Sequence, residues 1–270
     1  MTDPALYLPD GDGFVGTILT QGTWDPGSQT GAAVLALLGH CLEDVPTLAP
    51  MALARLTVDL LRPVPIGPRL TVRSDVLREG KKIQLVQLDL FAGDQRLVRA
   101  SALRLRVEDV LDAHRLLPSE VDLDDPAPLP PPDTCARIGG SPSSPRFLEG
   151  IELRRVPGVG TWIRLAVPVV AGSPTRATSH LAVGLDFTHL VNADITDALS
   201  ALTMINPDVT AHVLRMPADG WIGMTGRTTF DPAAGRGVSI ATFHDDAGPF
   251  AVASTSHIIQ RRPPATSGPY

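Results

Sequence analysis

The chain has 270 residues, 43% of them hydrophobic and 19% charged, a length that suits two domains of roughly 110–130 residues, each with its own apolar core. A net charge of -6 supplies no basic surface for nucleic acid or an anionic membrane. The longest apolar run, Ala32–Leu38, is far too short to span a bilayer, and Met1–Gly13 is polar with no signal-type apolar core, so a cytoplasmic protein is expected.

The first expected element is a strand at Phe14–Gln21. Asp25-Pro26 then offers an N-cap followed by a tolerated N1 proline, opening a helix that runs to about Glu43. Ala32, Ala33, Val34, Leu35, Ala36, Leu37 and Leu38 make this helix apolar on every side, so it must be buried all round. Four alternating, β-branched runs follow at Ala52–Arg62, Leu70–Leu77, Ile83–Phe91 and Arg96–Val107, punctuated by Pro63, Gly67, Gly80 and Gly93-Asp94. Asp112–Pro145 breaks the pattern with clustered prolines and an acidic run, and reads as a linker.

Beyond it the pattern returns. Strands are expected at Phe147–Arg155 and Trp162–Val170, then a helix capped by Thr178 or Ser179 and running through Leu190. Further strands follow at Thr203–Leu214, Trp221–Phe230, Val238–His244 and Phe250–Gln260. One offset of about 153 residues places Arg62 on Arg215, Gly67 on Gly220, and Ala100-Ser101 on Ala253-Ser254, which marks an internal duplication. The expected layout is a domain over 1–111, a linker over 112–145, a second domain over 146–262 and a tail over 263–270. The fold class is α+β: in each unit an antiparallel sheet curls around one buried helix, and the two units pair into one extended sheet, which removes two exposed edges.

The two cysteines, Cys41 and Cys135, form no C-x-x-C and no Cys/His metal spacing, so neither a metal nor a cofactor is expected. Comparing the copies singles out three positions where the first unit is apolar and the second polar: Ala33 against Asp186, Leu53 against Asn206, and Leu103 against Ser256. A carboxylate on a buried helix is costly unless hydrogen-bonded or facing a polar cavity. Asp186 therefore either pairs outward with His189, one turn on, or stands as an acid whose burial suits it to act as a base. Asn206, before Pro207, is also a turn signal, and Ser256 lies in an alternating strand where His257 points to the opposite face. Asp208 is a fallback acid.

In order and spacing, L-L-R-P (60–63), G-L-D-F (184–187), I-N-P-D-V-T-A-H (205–212), G-W-I (220–222) and F-A-V-A-S-T-S (250–256) resemble the thioesterase II group of acyl-CoA thioesterases, which carry two fused hotdog domains. The resemblance implies hydrolysis of acyl-CoA, with the family's helix Asp at Asp186, its strand residue at Asn206, and its Gln position at Ser256, or at His257 if the strand is shifted by one. This chain has no Gln there. The substrate acyl-CoA is the implied partner, and a homo-oligomer is implied as well. Arg78, Lys81 and Lys82 form the densest cationic cluster, which a solvated turn explains as well as coenzyme A phosphates do. Two other readings stand beside hydrolysis. One is a hotdog that binds acyl-CoA or lipid without turnover. The other is an enoyl-CoA hydratase/dehydratase, against which Met204 stands where that signature has Asp, and His212 lies too far on.

Overall fold

The computed structural model of the protein describes residues 4–23, 25–108, 129–139, 144–191, 201–218 and 220–262. Most of the expected linker and the whole 263–270 tail lie outside the described residues. The first unit comprises β1 (Tyr7–Asp10), β2 (Gly13–Gly16), α1 (Gly31–Leu42), β3 (Met51–Leu60), β4 (Arg69–Arg78), β5 (Ile83–Ala92) and β6 (Gln95–Arg106). The second comprises β7 (Ala136–Ile138), β8 (Ile151–Val156), β9 (Gly160–Leu165), α2 (Ala177–Leu185), β10 (Leu202–Ile205), β11 (Asp208–Val213), β12 (Ile222–Asp231), β13 (Arg236–Asp245) and β14 (Gly248–Arg261).

The described strands form one antiparallel sheet in the order β1-β2-β4-β5-β6-β3-β11-β14-β13-β12-β9-β8-β7, with β10 also paired to β14. The two halves are joined where β3 meets β11, Arg55–Asp59 lying against His212–Asp208. The duplication is visible in the register. Thr57 lies opposite Ser101 in the first unit, and Thr210 lies opposite Ser254 in the second. Gly67 and Gly220 both adopt positive φ, +101° and +116°, a conformation L side chains resist, so each copy makes its turn in the same way.

Helix α1 packs in the core beside the sheet, and Ala32–Leu38 are fully buried there, as an all-round apolar helix requires. It runs antiparallel to α2 in direct contact. Ser179 Oγ donates to the Ala36 carbonyl at 3.0 Å, and a Cβ on Gly39 would stand 2.9 Å from the Thr178 carbonyl oxygen. The apolar inner faces of both half-sheets, Val58, Val86 and Leu88 with Met224, Ala241 and Phe243, join the helices in a single core.

Several expected bounds shift. Helix α1 begins at Gly31, not after Asp25. Asp25 instead closes a turn, accepting from Gly27 N at 3.0 Å and Ser28 Oγ at 2.6 Å, while Gln29 N is drawn to the Val64 carbonyl. Helix α2 stops at Leu185, and Thr188–Val191 form a separate 3-10 turn. The expected strand 203–214 is cut at Asn206-Pro207, where proline has no N–H to give the ladder. Strand Phe14–Gln21 shortens to β2 and a 3-10 turn at Ile18–Thr20. Cys41 and Cys135 are free thiols, and among the described residues no helix is long and apolar enough to cross a membrane.

Candidate active site

The site lies where the C-terminus of α2 meets the N-terminus of α1. Asp186 is the C-cap of α2 rather than a mid-helix residue, and this end position lets its side chain leave α2. Its Oδ2 accepts from Ala32 N at 2.8 Å and from Thr30 Oγ1 at 3.0 Å. Thr30 is the N-cap of α1 and makes no capping bond with its own side chain. Asp186 thus satisfies an N–H that the helix start leaves open, and its charge sits at the positive end of the α1 dipole. Gly31 permits this approach: a Cβ there would lie 2.5 Å from Asp186 Oδ1.

Asp186 Oδ1 accepts from Asn206 Nδ2 at 3.1 Å, and the same nitrogen reaches the Asp186 carbonyl at 2.9 Å. Asn206 can turn inward because β10 ends at Ile205 and β11 begins at Asp208. Burial pushes the Asp186 carboxyl above its ordinary pKa, while hydrogen bonds from Asn206, Ala32 and Thr30 pull it back.

With Nδ2 donating to Asp186, Asn206 presents Oδ1 as an acceptor, and His257 Nδ1 stands 2.7 Å from it. That atom therefore carries the proton, leaving His257 Nε2 to accept from Ser239 Oγ at 2.6 Å. Ser239 Oγ in turn lies 2.8 Å from Thr228 Oγ1. His257 is 2% exposed; burial first, and the neighbouring His189 second, hold its pKa down at about 4, so the ring is neutral at pH 7. The His189 ring packs on Phe187 and edge-on to His257, and burial holds it at about 4 too. The outward carboxylate pairing of Asp186 with His189 is not what forms: the carboxylate turns to α1.

The structure brings Asp186 and Asn206 together and leaves Ser256 apart. Ser256 is exposed on the outer face of β14, its N–H donating to Asp208 Oδ1 at 3.0 Å. Strand alternation puts its neighbour His257 on the inner face instead, where it is buried. Asp208 is spent on the Ser256 backbone. Met204 is buried beside the strand break, and His212 is exposed on β11, so no Asp and His bracket Asn206-Pro207. Arg78, Lys81 and Lys82 are exposed around the β4–β5 turn. Ser239 and Thr228 escaped sequence reasoning. In β13 the apolar flanks Val238 and Ile240 face solvent at 49% and 46% exposure while Ser239 is buried, the reverse of the usual alternation. Among the described residues no group of three or more His, Cys, Asp or Glu side chains is placed to hold a metal ion.

Comparison with known proteins agrees with this architecture. Residues 20–105 match the acyl-CoA thioesterase N-terminal domain family. A putative thioesterase II from Thermobifida fusca shares the fold with a TM-score of 0.70 at 14% identity, over 97% of this chain and 100% of its own. A conserved hot dog fold protein of unknown function from Alicyclobacillus acidocaldarius gives 0.71 at 15%, over 96% of each chain. An acyl-CoA thioesterase II from Mycobacterium marinum gives 0.64 at 15%, over 96% of this chain and 95% of its own. No curated protein matches the chain in sequence. The chain is therefore a double hotdog in fold, and its residues 20–105 match the acyl-CoA thioesterase N-terminal domain family.

Proposed function

We propose that this protein hydrolyses acyl-CoA thioesters to a carboxylic acid and coenzyme A, with Asp186 as general base. The observation that carries the reading is the meeting of the Asp186 carboxylate and the Asn206 amide, 3.1 Å apart, at the N-terminus of α1. A water held against the Asp186 carboxylate is the nucleophile. Asp186 removes one proton as the water oxygen bonds to the thioester carbon, while Asn206 Nδ2, which donates to Asp186 Oδ1 and to the Asp186 carbonyl, fixes the carboxylate in place. Collapse of the tetrahedral intermediate breaks the C–S bond, and the proton held by Asp186 passes to the departing thiolate. A base whose pKa is raised by burial suits this step near neutral pH. His257, Ser239 and Thr228 are positioning residues: their one-directional bonds hold the Asn206 amide with its nitrogen toward Asp186. This enzyme is taken to work in the cytoplasm as a homo-oligomer, a state that sedimentation analysis checks.

A second reading rests on the same atoms. Both Asp186 oxygens are occupied by Thr30, Ala32 and Asn206, as a purely structural cap of α1 requires, which would leave a protein that binds acyl-CoA without cleaving it. Free-thiol release from short-, medium- and long-chain acyl-CoAs separates the two. Turnover by wild type that falls by about 10²–10⁴-fold in Asp186→Asn supports the base. A folded wild type that binds acyl-CoA but releases no thiol from any of them leaves the structural cap.

A further inference from the structure

The candidate site straddles the two units. Asp186 comes from the second, and the groups that donate to its Oδ2, Thr30 Oγ1 and Ala32 N, come from the first. Its geometry therefore depends on how residues 29–32 are held and on how the two units are tied together. One residue takes part in both.

Tyr7 lies on β1 and is fully buried. Its backbone pairs with the second unit: Tyr7 N donates to the Val169 carbonyl at 2.9 Å, and Ala171 N donates to the Tyr7 carbonyl at 2.9 Å. The preceding residue adds a third bond, Leu6 N donating to the Pro168 carbonyl at 3.0 Å. The Tyr7 side chain turns to the first unit, where its hydroxyl donates to Gln29 Oε1 at 2.6 Å. Gln29 is held from other directions as well. Its Nε2 donates to the Pro65 carbonyl at 2.8 Å, and its main-chain N donates to the Val64 carbonyl at 2.8 Å. Gly16 lies tight against it, since a Cβ there would stand 2.6 Å from Gln29 Nε2. A buried amide whose oxygen and nitrogen are both bonded has one orientation. The chain runs from Gln29 directly into Thr30, the N-cap of α1, whose own N–H donates to the Thr20 carbonyl at 2.8 Å.

Filling the core does not call for the Tyr7 hydroxyl. A phenylalanine ring has nearly the same volume and carries no polar group that must find a partner. The hydroxyl has one hydrogen to donate, and it is spent on the residue next to the α1 cap.

We propose that Tyr7 is a positioning residue for Asp186: through Gln29 it fixes the start of α1, and with it the Thr30 and Ala32 donors, against the carboxylate. The expected effect on rate rests on the hydrolytic reading of the Asp186 site; the expected effect on the carboxylate itself does not.

The test reads the Asp186 carboxyl by ¹³C NMR titration of the full chain, with Asp186→Asn identifying its resonance, and measures thiol release from octanoyl-CoA in parallel. Bonds from Ala32 and Thr30 hold the carboxyl pKa down, so loosening them is expected to move the titration to higher pH in Tyr7→Phe and in Gln29→Met. In both, kcat is expected to fall on the order of tenfold while KM stays within about twofold. The two changes break one chain of bonds, so the double variant is expected to be no worse than Gln29→Met alone. His189 and His257, the titratable side chains beside Asp186, are unchanged in all of these variants. Val86→Ala empties a core position on β5 outside this chain of bonds, and is expected to lower stability while leaving the titration in place. Gln29→Met carries the test should Tyr7→Phe not fold. An Asp186 titration that stays in place in Tyr7→Phe and Gln29→Met, or moves as far in Val86→Ala, overturns the proposal, whether or not wild type releases thiol. A titration that moves as expected while wild type releases no thiol supports the positioning role and removes the hydrolytic reading.

Discussion

Thr57 and Thr210 face each other across the β3–β11 ladder, Thr210 Oγ1 donating to Thr57 Oγ1 at 3.3 Å. They are 153 residues apart and hold the same place in their units, each opposite a serine of the neighbouring strand. A residue paired with its own counterpart marks the pseudo-two-fold axis, which here passes through the middle of the joined sheet. The bond is long and neutral. Thr57→Val is expected to change stability by less than about 1 kcal/mol in urea denaturation, because what joins the halves is the backbone ladder and the shared core.

Gly31 is a sharper point of failure. A Cβ there would meet the Asp186 carboxylate at 2.5 Å, with no room for α1 to give way among fully buried neighbours. Gly31→Ala is expected to cost about 1–3 kcal/mol of stability, partly offset by the helix propensity of alanine. Turnover is expected to fall at least tenfold, because the displaced carboxylate loses Asn206. Urea denaturation and thiol release, measured together, check both effects.

Ser256 and His257 are adjacent and face opposite ways. Ser256→Ala removes an exposed hydroxyl, and thiol release is expected to stay within about twofold of wild type. His257→Ala frees the Asn206 amide to rotate and leaves Ser239 without its acceptor. A loss of kcat of tenfold or more is expected, together with about 1–3 kcal/mol of stability. His257→Gln, which restores an amide on the inner face, is expected to recover part of the kcat. Equal effects of the two alanine variants would contradict the inward assignment of His257.

Acid should destabilise the fold in a defined window. His189 and His257 have pKa values near 4 in the folded chain against about 6.5 when unfolded. Between those values the unfolded chain binds more protons, so stability present above about pH 6.5 is lost as pH falls toward 4. Asp186 works in the other sense. Its raised pKa favours the fold at low pH, and that contribution is lost as pH rises through the folded value. The two histidines each lose on the order of 2 kcal/mol between pH 7 and pH 4.5, and Asp186 opposes that loss, so a net loss toward acid is expected. Urea midpoints across that range measure it, and His257→Gln is expected to flatten the slope.

The direction of the hydrogen-bond chain is itself testable. Asp186→Asn puts an amide where an acceptor stood. With Ala32 N and Thr30 still calling for an oxygen, the new nitrogen faces Asn206. Asn206 is then expected to reverse, presenting its oxygen to the introduced amide and its nitrogen to His257. His257 Nδ1 would become an acceptor and Nε2 the protonated atom, a tautomer change that ¹⁵N chemical shifts of the ring report. An unchanged His257 tautomer would mean that something other than Asp186 orients Asn206.

The pattern of these residues explains how far the chain could be read from its letters. The duplication was legible because anchors such as Gly67 and Gly220 need the same backbone conformation in each copy. Asp186 was legible as a carboxylate on an apolar helix and Asn206 as a polar intrusion into a strand, but setting Asp186 against Ala33 does not hold, because Asp186 ends α2 while Ala33 lies near the start of α1. The start of α1 was not legible. Asp25-Pro26 satisfies every local rule for a helix start, yet contacts from Val64 and Thr20 to Gln29 and Thr30 hold that segment extended. Nor was the end of α2, since apolar spacing continues past Leu185 into a different kind of turn. Ser239 was hidden because its strand turns apolar residues outward.

The covalent joining of the two units gives a freedom that two identical chains would lack. In a symmetric pair every substitution appears at both ends of the helix couple, so a change that suits one end is imposed on the other. Here Asn206 and Leu53, or His257 and Arg104, are separate letters in one text. One unit can carry Asn206 and His257 while the other carries Leu53 and Arg104 at the same places, and neither change is felt twice.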